Sequence, residues 1–413
     1  MAAVVVVLSV VASSPERQDK GFSPFDELAH YDYVVQLHSG HIPRTGTLDA
    51  QPTVRAGFCL EPGNTDPTKC DVKYRPTTAY SYEDIQPPLG YIPYVLMADP
   101  SAQPGIALSH ARRGGIVWAA IAAGLAVALA AVEEMSMLQL AGMLMLCLLC
   151  PWATYTEGLV TNDSSAVTAG LLALLVTSLA SRWNTRWQVT VGLAAGIVIG
   201  LLKPLFLFAP VAVLVAEFVV KGPRPVSRKS VVELVRRSAA PLAMVVGTAV
   251  MSVGWEILQR IRELVPLSTV SATVETSLSP HLQSGTLLAG LASMLSVFSD
   301  PLGTVHLYAV LNYVVIGTVI AVAIFGSSMS VDRSVRALAG GTVGAVLLLD
   351  VWFWLQEFLD AHQNYAAPVR YSLVFVPLLA FVLVKMGRRW PLLLICVALP
   401  LAAFIEQLMT FGY

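Results

Sequence analysis

From residue 115 onward the chain alternates between apolar runs of about 20 residues, the length that crosses a bilayer as a helix, and short polar breaks. The runs fall at 115–131, 135–153, 164–181, 187–204, 205–220, 238–257, 307–326, 337–355, 369–385 and 390–408. Another apolar stretch occupies residues 1–14. At 1.5 Å per residue it reaches only ~21 Å, less than the ~30 Å hydrocarbon core, and it has no basic leader of the signal-peptide kind. It reads as the outer part of a first spanning helix with a short or truncated start. The pattern therefore predicts about eleven spans. Residues 284–299 are apolar too, with Leu287, Leu288, Leu291, Leu295 and Phe298 at helical spacing, but they stop at Ser299-Asp300-Pro301. That stretch reads as an amphipathic interfacial helix rather than a span.

The expected fold is an all-α polytopic membrane protein with a large first loop. Its parts are a short first helix (1–14), a polar loop (15–113), six spans (114–257), a second polar loop with the amphipathic helix (258–306), and the last four spans (307–413). Composition agrees: the 413 residues are 55% hydrophobic and 13% charged, against about 25% charged in ordinary soluble domains. The net charge of −1 points to no nucleic-acid partner.

The placement of charge adds a direction. Arg182 and Arg186 share one short loop, and Lys221, Arg224, Arg228, Lys229, Arg236 and Arg237 crowd another. Arg333 and Arg336 lie in a third loop, and Lys385, Arg388 and Arg389 in a fourth. With eleven spans all four loops fall on one face, which the positive-inside rule makes cytoplasmic. The first loop, residues 258–306 and the linker with Glu357, Asp360, His362 and Gln363 are then external.

Cys147, Cys150 and Cys396 lie in apolar runs and read as buried packing residues. Cys59 and Cys70 flank a Pro-, Gly- and Asn-containing segment of the first loop. They form either a disulfide or two free thiols, and an external loop without a core favours the disulfide.

The first loop opens on Ser23-Pro24-Phe25-Asp26-Glu27-Leu28-Ala29-His30. Ser23 is placed to cap a helix with Pro24 at its first position, and Gly40 to stop it. Two adjacent carboxylates there have a purely structural explanation, since acids in a first turn complement the helix dipole. They also sit where a membrane-borne and a water-borne group can meet. Asn162-Asp163, Lys203-Pro204 and Arg370-Tyr371 lie at span ends on the same expected face. Each has its own structural explanation: an N-cap, a snorkelling lysine, an interfacial anchor. His30, His38 and His41 do not have a zinc spacing. Near the loop's end, Tyr82-Glu83-Asp84-Ile85-Gln86-Pro87-Pro88-Leu89-Gly90-Tyr91-Ile92-Pro93-Tyr94 suits an aromatic membrane-interface segment, its prolines forbidding regular helix.

A first span, an acidic pair at the start of a large external loop and many later spans resemble the polyprenyl-phosphate-dependent GT-C glycosyltransferases. Pro24-Phe25-Asp26-Glu27-Leu28-Ala29-His30 with Gly40-His41-Ile42-Pro43 resembles the opening of a bacterial branch of that superfamily. Gln86-Pro87-Pro88-Leu89-Gly90-Tyr91, Thr161-Asn162-Asp163, Gly200-Leu201-Leu202-Lys203-Pro204, and Val369-Arg370-Tyr371 with Pro377 resemble later markers of the same branch. The order matches over most of the chain, while the short first span departs from the family. The resemblance implies a GT-C-like bundle and inverting transfer of a sugar, at the external face of the plasma or inner membrane, from a polyprenyl-phosphate donor to a glycan or lipid acceptor. Asp26 is then the expected base, with Glu27 second. Lys203 and Arg370 face the donor phosphate, Tyr91 or Tyr94 line the sugar pocket, and His30, Asn162, Asp163 and Tyr371 complete the substrate site. No Gly-rich phosphate loop is present, in keeping with a donor that is not a nucleotide sugar. No cofactor is firmly implied, and a divalent metal stays open. The competing expectations are a transporter or lipid flippase, and a non-catalytic scaffold. The charges singled out sit at span ends and no internal repeat is evident, which favours the enzyme.

Overall fold

The structure is a computed structural model that describes residues 1–14, 21–23, 26–60, 82–221, 234–236, 238–265, 283–301, 303–361, 366–386 and 390–411. Among the described residues the regular elements are all helical. Among the described residues eight helices are long and apolar enough to cross a membrane: Pro104–Val132, Asn162–Ala180, Thr185–Leu202, Ala239–Arg262, His306–Phe325, Arg333–Gln356, Val369–Met386 and Pro391–Thr410. Met137–Leu148 and Pro151–Glu157 make a ninth if taken as one span bent by 59°. The bend follows from Pro151, which holds Cys150 extended (ψ 126°) and interrupts the helical hydrogen bonds. The chain is thus a multi-pass helical membrane protein. The remaining two of the eleven expected spans, Ala2–Ala12 and Pro204–Val220, are apolar but shorter.

Residues expected as an interfacial helix form Ser284–Met294, whose Gly290 and Met294 are buried. Gly290 packs directly over Asp350, a buried carboxylate inside the Arg333–Gln356 helix. Not every acid therefore lies at a span end.

Among the described residues the most extensively packed helix pair is Thr185–Leu202 with Ala239–Arg262. Apolar side chains gain little from meeting each other in lipid, so close association there relies on small residues that let backbones approach. A Cβ on Gly192 would come within 2.5 Å of the Ala240 carbonyl, and one on Gly247 within 2.6 Å of the Leu193 carbonyl. Gly196 sits closer still to the Met244 carbonyl, and Thr248 Oγ1 donates to the Gly196 carbonyl at 3.0 Å. This seam fixes the helix end at Leu202 and hence the position of Lys203.

Described basic side chains of the four basic loops gather at one end of the bundle. Arg182 donates to the Val132 carbonyl at 2.7 Å, Lys385 pairs with Glu133 at 2.6 Å, Arg236 reaches Thr185 Oγ1 at 3.3 Å, and Arg333 reaches the Val219 carbonyl at 2.6 Å. Arg224, Arg228, Lys229, Arg237, Arg388, Arg389, His362 and Gln363 lie outside the described residues. The other ends of these helices, at Gly114, Asn162, Leu202 and Val369, meet the first loop. Gly114 lies beneath Tyr94, where a Cβ would come within 2.6 Å of the Tyr94 backbone.

In the first loop the helix Glu27–His38 ends as expected. Gly40 is left-handed at φ +83°, its N–H donates to the Leu37 carbonyl at 2.9 Å, and the His41 N–H donates to Gln36 at 3.0 Å. The start differs. The N-cap is Asp26, itself left-handed at φ 64°, with no side-chain cap hydrogen bond. Ser23 is not the cap: its hydroxyl lies 3.1 Å from the Tyr155 hydroxyl, and its N–H donates to Glu27 Oε2 at 2.8 Å. Pro24 and Phe25 lie outside the described residues. Cys59 ends the helix Gln51–Cys59 and is disulfide-bonded, and its expected partner Cys70 also lies outside the described residues. Cys147, Cys150 and Cys396 are buried free thiols, as expected.

Candidate active site at the first loop

Proline and capping chemistry bring distant charges together. Pro204 ends the helix before it and leaves Lys203 extended at φ −165°, so the ammonium turns back across the helix ends. The Thr161 hydroxyl accepts the Asp163 N–H at 3.2 Å and opens the tight turn Asn162–Ser165, from which Asn162 and Asp163 project. Pro368 precedes the turn Val369–Phe375 that carries Arg370 and Tyr371.

These groups form one electrostatic chain. Lys203 Nζ lies 2.5 Å from Asp163 Oδ1 and donates to Asn162 Oδ1 at 3.3 Å. Arg370 Nε lies 3.3 Å from the other Asp163 oxygen, and Arg370 Nη2 lies 2.5 Å from Asp26 Oδ2. The Tyr371 ring lies under both cations, 4.7 Å from the ammonium and 5.7 Å from the guanidinium. The chain runs from inside to outside: side-chain exposure is 0% at Asp163, 12% at Arg370 and 34% at Asp26. Asp26 is the open end. A non-glycine residue in the left-handed region is uncommon, though aspartate tolerates it better than most.

Glu27 differs from its neighbour. Its carboxylate is fully buried and bound by Arg112 through both oxygens, at 2.7 and 2.6 Å. It also accepts the Val160 N–H at 2.9 Å and the Ser23 N–H at 2.8 Å. With those bonds made, it serves to tie the loop to the helix Pro104–Arg112 and to the turn before Asn162. A catalytic role as second base does not fit it, because the acceptor sites on its carboxylate are taken.

A second cluster adjoins the chain. Buried His30 has Nδ1 2.7 Å from the Tyr91 hydroxyl and Nε2 3.3 Å from Thr161 Oγ1. Burial, reinforced by Lys203 and Arg370, holds this imidazole well below the usual histidine range, so it is neutral. Tyr33 stacks on Tyr91 at 4.3 Å and donates to the Gln86 carbonyl at 2.7 Å. The Gln86 side chain accepts from Asn162 at 3.3 Å. Gly90 allows this closeness, since a Cβ there would come within 2.9 Å of the Asn162 side chain. Glu83 is buried in the turn Tyr82–Ile85, with Oε2 3.5 Å from His30 Nδ1.

The structure thus brings Asp26, His30, Tyr91, Asn162, Asp163, Lys203, Arg370 and Tyr371 together. Tyr94 stands apart: it is as buried as Tyr91, but its hydroxyl is bonded to Ser164 rather than to a member of this cluster. It holds the loop against the helices rather than lining a pocket. His38 and His41 are exposed, and among the described residues no group of His, Cys, Asp or Glu is arranged to hold a metal ion. Sequence reasoning missed Glu83 and Arg112 as members of this region. Glu83 had a signal, as an acid just before a paired proline. Arg112 had none, because its partner lies 85 residues away. No protein-family model, curated protein or solved structure matches the chain.

Proposed function

We propose that the protein is an inverting GT-C-type glycosyltransferase that moves a sugar from a polyprenyl-phosphate donor to a glycan or lipid acceptor of the cell envelope. The reading includes a GT-C-like bundle of about eleven spans. The observation that carries it is the Lys203–Asp163–Arg370–Asp26 chain, two cations leading to a partly exposed carboxylate at the membrane end of the helices. Such a transfer needs a carboxylate to take the acceptor proton and cations to hold the leaving phosphate. The basic loops gather at the opposite end, and the positive-inside rule then puts this site on the external face of the plasma or inner membrane.

The resting pair gives the reaction an order. Arg370 is paired to Asp26 at 2.5 Å. A donor phosphate competes for the guanidinium, which suits bidentate phosphate contact, and its arrival releases the Asp26 carboxylate toward water. The acceptor oxygen then bonds to the anomeric carbon from the side opposite the phosphate. The bond from that carbon to the phosphate oxygen breaks, its electron pair leaves on the phosphate, and the hydroxyl proton moves to Asp26. Lys203 and Arg370 meet the charge that develops.

The test is purified protein in proteoliposomes with a panel of labelled polyprenyl-phosphate sugars and envelope acceptors. Label should appear on one acceptor class. Label carried across the membrane still attached to its prenyl phosphate would favour a flippase instead.

A further inference from the structure

Glu83 has no part in the reaction as described, yet it is a buried carboxylate beside the site. Its side chain is only 10% exposed, and its Oε2 is buried without a hydrogen bond. A buried acceptor left unsatisfied costs about 1–3 kcal/mol, more if it is charged. The turn that carries it is pinned by the Gln86 N–H donating to the Glu83 carbonyl at 2.9 Å and by Pro87 and Pro88 behind it.

The charges around it make the case sharper. Lys203 and Arg370 are already balanced by Asp163 and Asp26. An ionised Glu83 leaves this buried cluster one negative charge in excess, and a phosphate ester adds another. Tyr33, Tyr91 and Tyr371 also face Glu83, and burial keeps Tyr33 and Tyr91 neutral. His30 is neutral as well and its Nδ1 is engaged with Tyr91, so the imidazole does not balance the excess.

We propose that Glu83 takes up one proton from solvent when a phosphate ester binds between Lys203 and Arg370, so that the ligand's charge enters the site without a net change. The proposal rests on the reading of Lys203 and Arg370 as the phosphate-binding groups. The balance is one ligand anion and one proton in, with the carboxylate becoming a carboxylic acid and no bond to the ligand formed. The neutral acid also becomes a hydrogen-bond donor beside the phosphate. Burial already pushes Glu83 up to about 7, while Lys203 and Arg370 pull it down. A phosphate that neutralises those two cations removes the pull and raises the carboxyl further.

The experiment is calorimetric titration of the full chain in detergent with farnesyl methyl phosphate, a diester whose single charge does not change across the range used. At pH 8, in buffers of different ionisation enthalpy, binding should take up close to one proton. Affinity should fall about tenfold per pH unit above pH 7. Glu83→Gln, of the same shape, should bind with no uptake and a flat pH profile. An infrared difference spectrum of the unaltered protein should gain a protonated-carboxyl stretch on binding, which needs no variant at all. Binding that is lost in Arg370→Ala but proceeds without proton uptake overturns the Glu83 proposal and leaves the phosphate site standing. Uptake that persists in Glu83→Gln and vanishes in His30→Gln assigns the proton to His30 and also overturns it. No binding of the diester at any pH removes both readings.

Discussion

Asp26 and Glu27 are neighbours, and each meets an arginine, yet the two pairs are built for different tasks. Glu27 and Arg112 are 0% and 1% exposed and meet through two short bonds, and backbone N–H groups fill the remaining carboxylate sites. Such a pair has no capacity left for a ligand. Asp26 and Arg370 are 34% and 12% exposed, and Arg370 is shared with Asp163. That pair can be opened by a competing anion. The difference arises at one residue: the left-handed backbone of Asp26 turns its side chain out of the helix whose first turn buries Glu27. Adjacency in sequence therefore says nothing about shared function here.

Loss of the buried Glu27 carboxylate should do the most damage. Glu27→Ala leaves Arg112 charged, buried and without its carboxylate, which costs about 3–5 kcal/mol. The expected outcome is a large drop in the yield and thermal midpoint of the purified protein, with ordinary prenyl-phosphate affinity in whatever fraction folds. A variant of normal stability that binds donor but fails to transfer sugar would return Glu27 to the chemistry. Arg370→Ala comes next. Losing charge-assisted contacts worth about 1.5–3 kcal/mol should weaken prenyl-phosphate binding by roughly 10- to 100-fold, read by titration. The transfer rate should fall too, because the negative charge on the leaving phosphate grows as its bond to the sugar breaks. Arg370→Lys should recover only part of this, since an ammonium lacks the bidentate fork.

The smallest effect concerns stability against pH. Glu83 titrates near 4.5 when free and about 7 in the folded chain, so the folded state holds the extra proton between those values. Stability should be highest below pH 4.5 with respect to this group and decline as pH rises toward 7. Glu83→Gln should flatten that decline, as followed by thermal melts in matched buffers. An unchanged slope would place the proton elsewhere.

Much of this arrangement was legible in the chain. Span positions follow from runs of apolar residues, and Gly40 as a helix stop follows from its freedom at positive φ. Asn162, Asp163, Lys203 and Arg370 were legible as span-end polar groups, and they do converge. What escaped was long-range or conformational. The Ser23 cap failed because the Ser23 hydroxyl meets Tyr155, 132 residues away, while its N–H donates to Glu27, which Arg112 holds from a distant helix. The left-handed turn at Asp26 leaves no mark in composition. The Gly192-Gly196-Gly200 stripe did leave one, a repeat at four-residue spacing, and it fixes the helix end that presents Lys203.

The measurement closest to the central claim is single-turnover sugar transfer by Asp26→Asn loaded with donor. Asparagine tolerates the left-handed backbone and keeps the side-chain shape, and Arg370 stays paired to Asp163, so the variant should fold and bind donor. Transfer to the acceptor should be slower by at least ~10²-fold, because the group that takes the hydroxyl proton is gone. Transfer at the unaltered rate, with donor bound and fold intact, would contradict both the role of Asp26 and the glycosyltransferase reading of this loop.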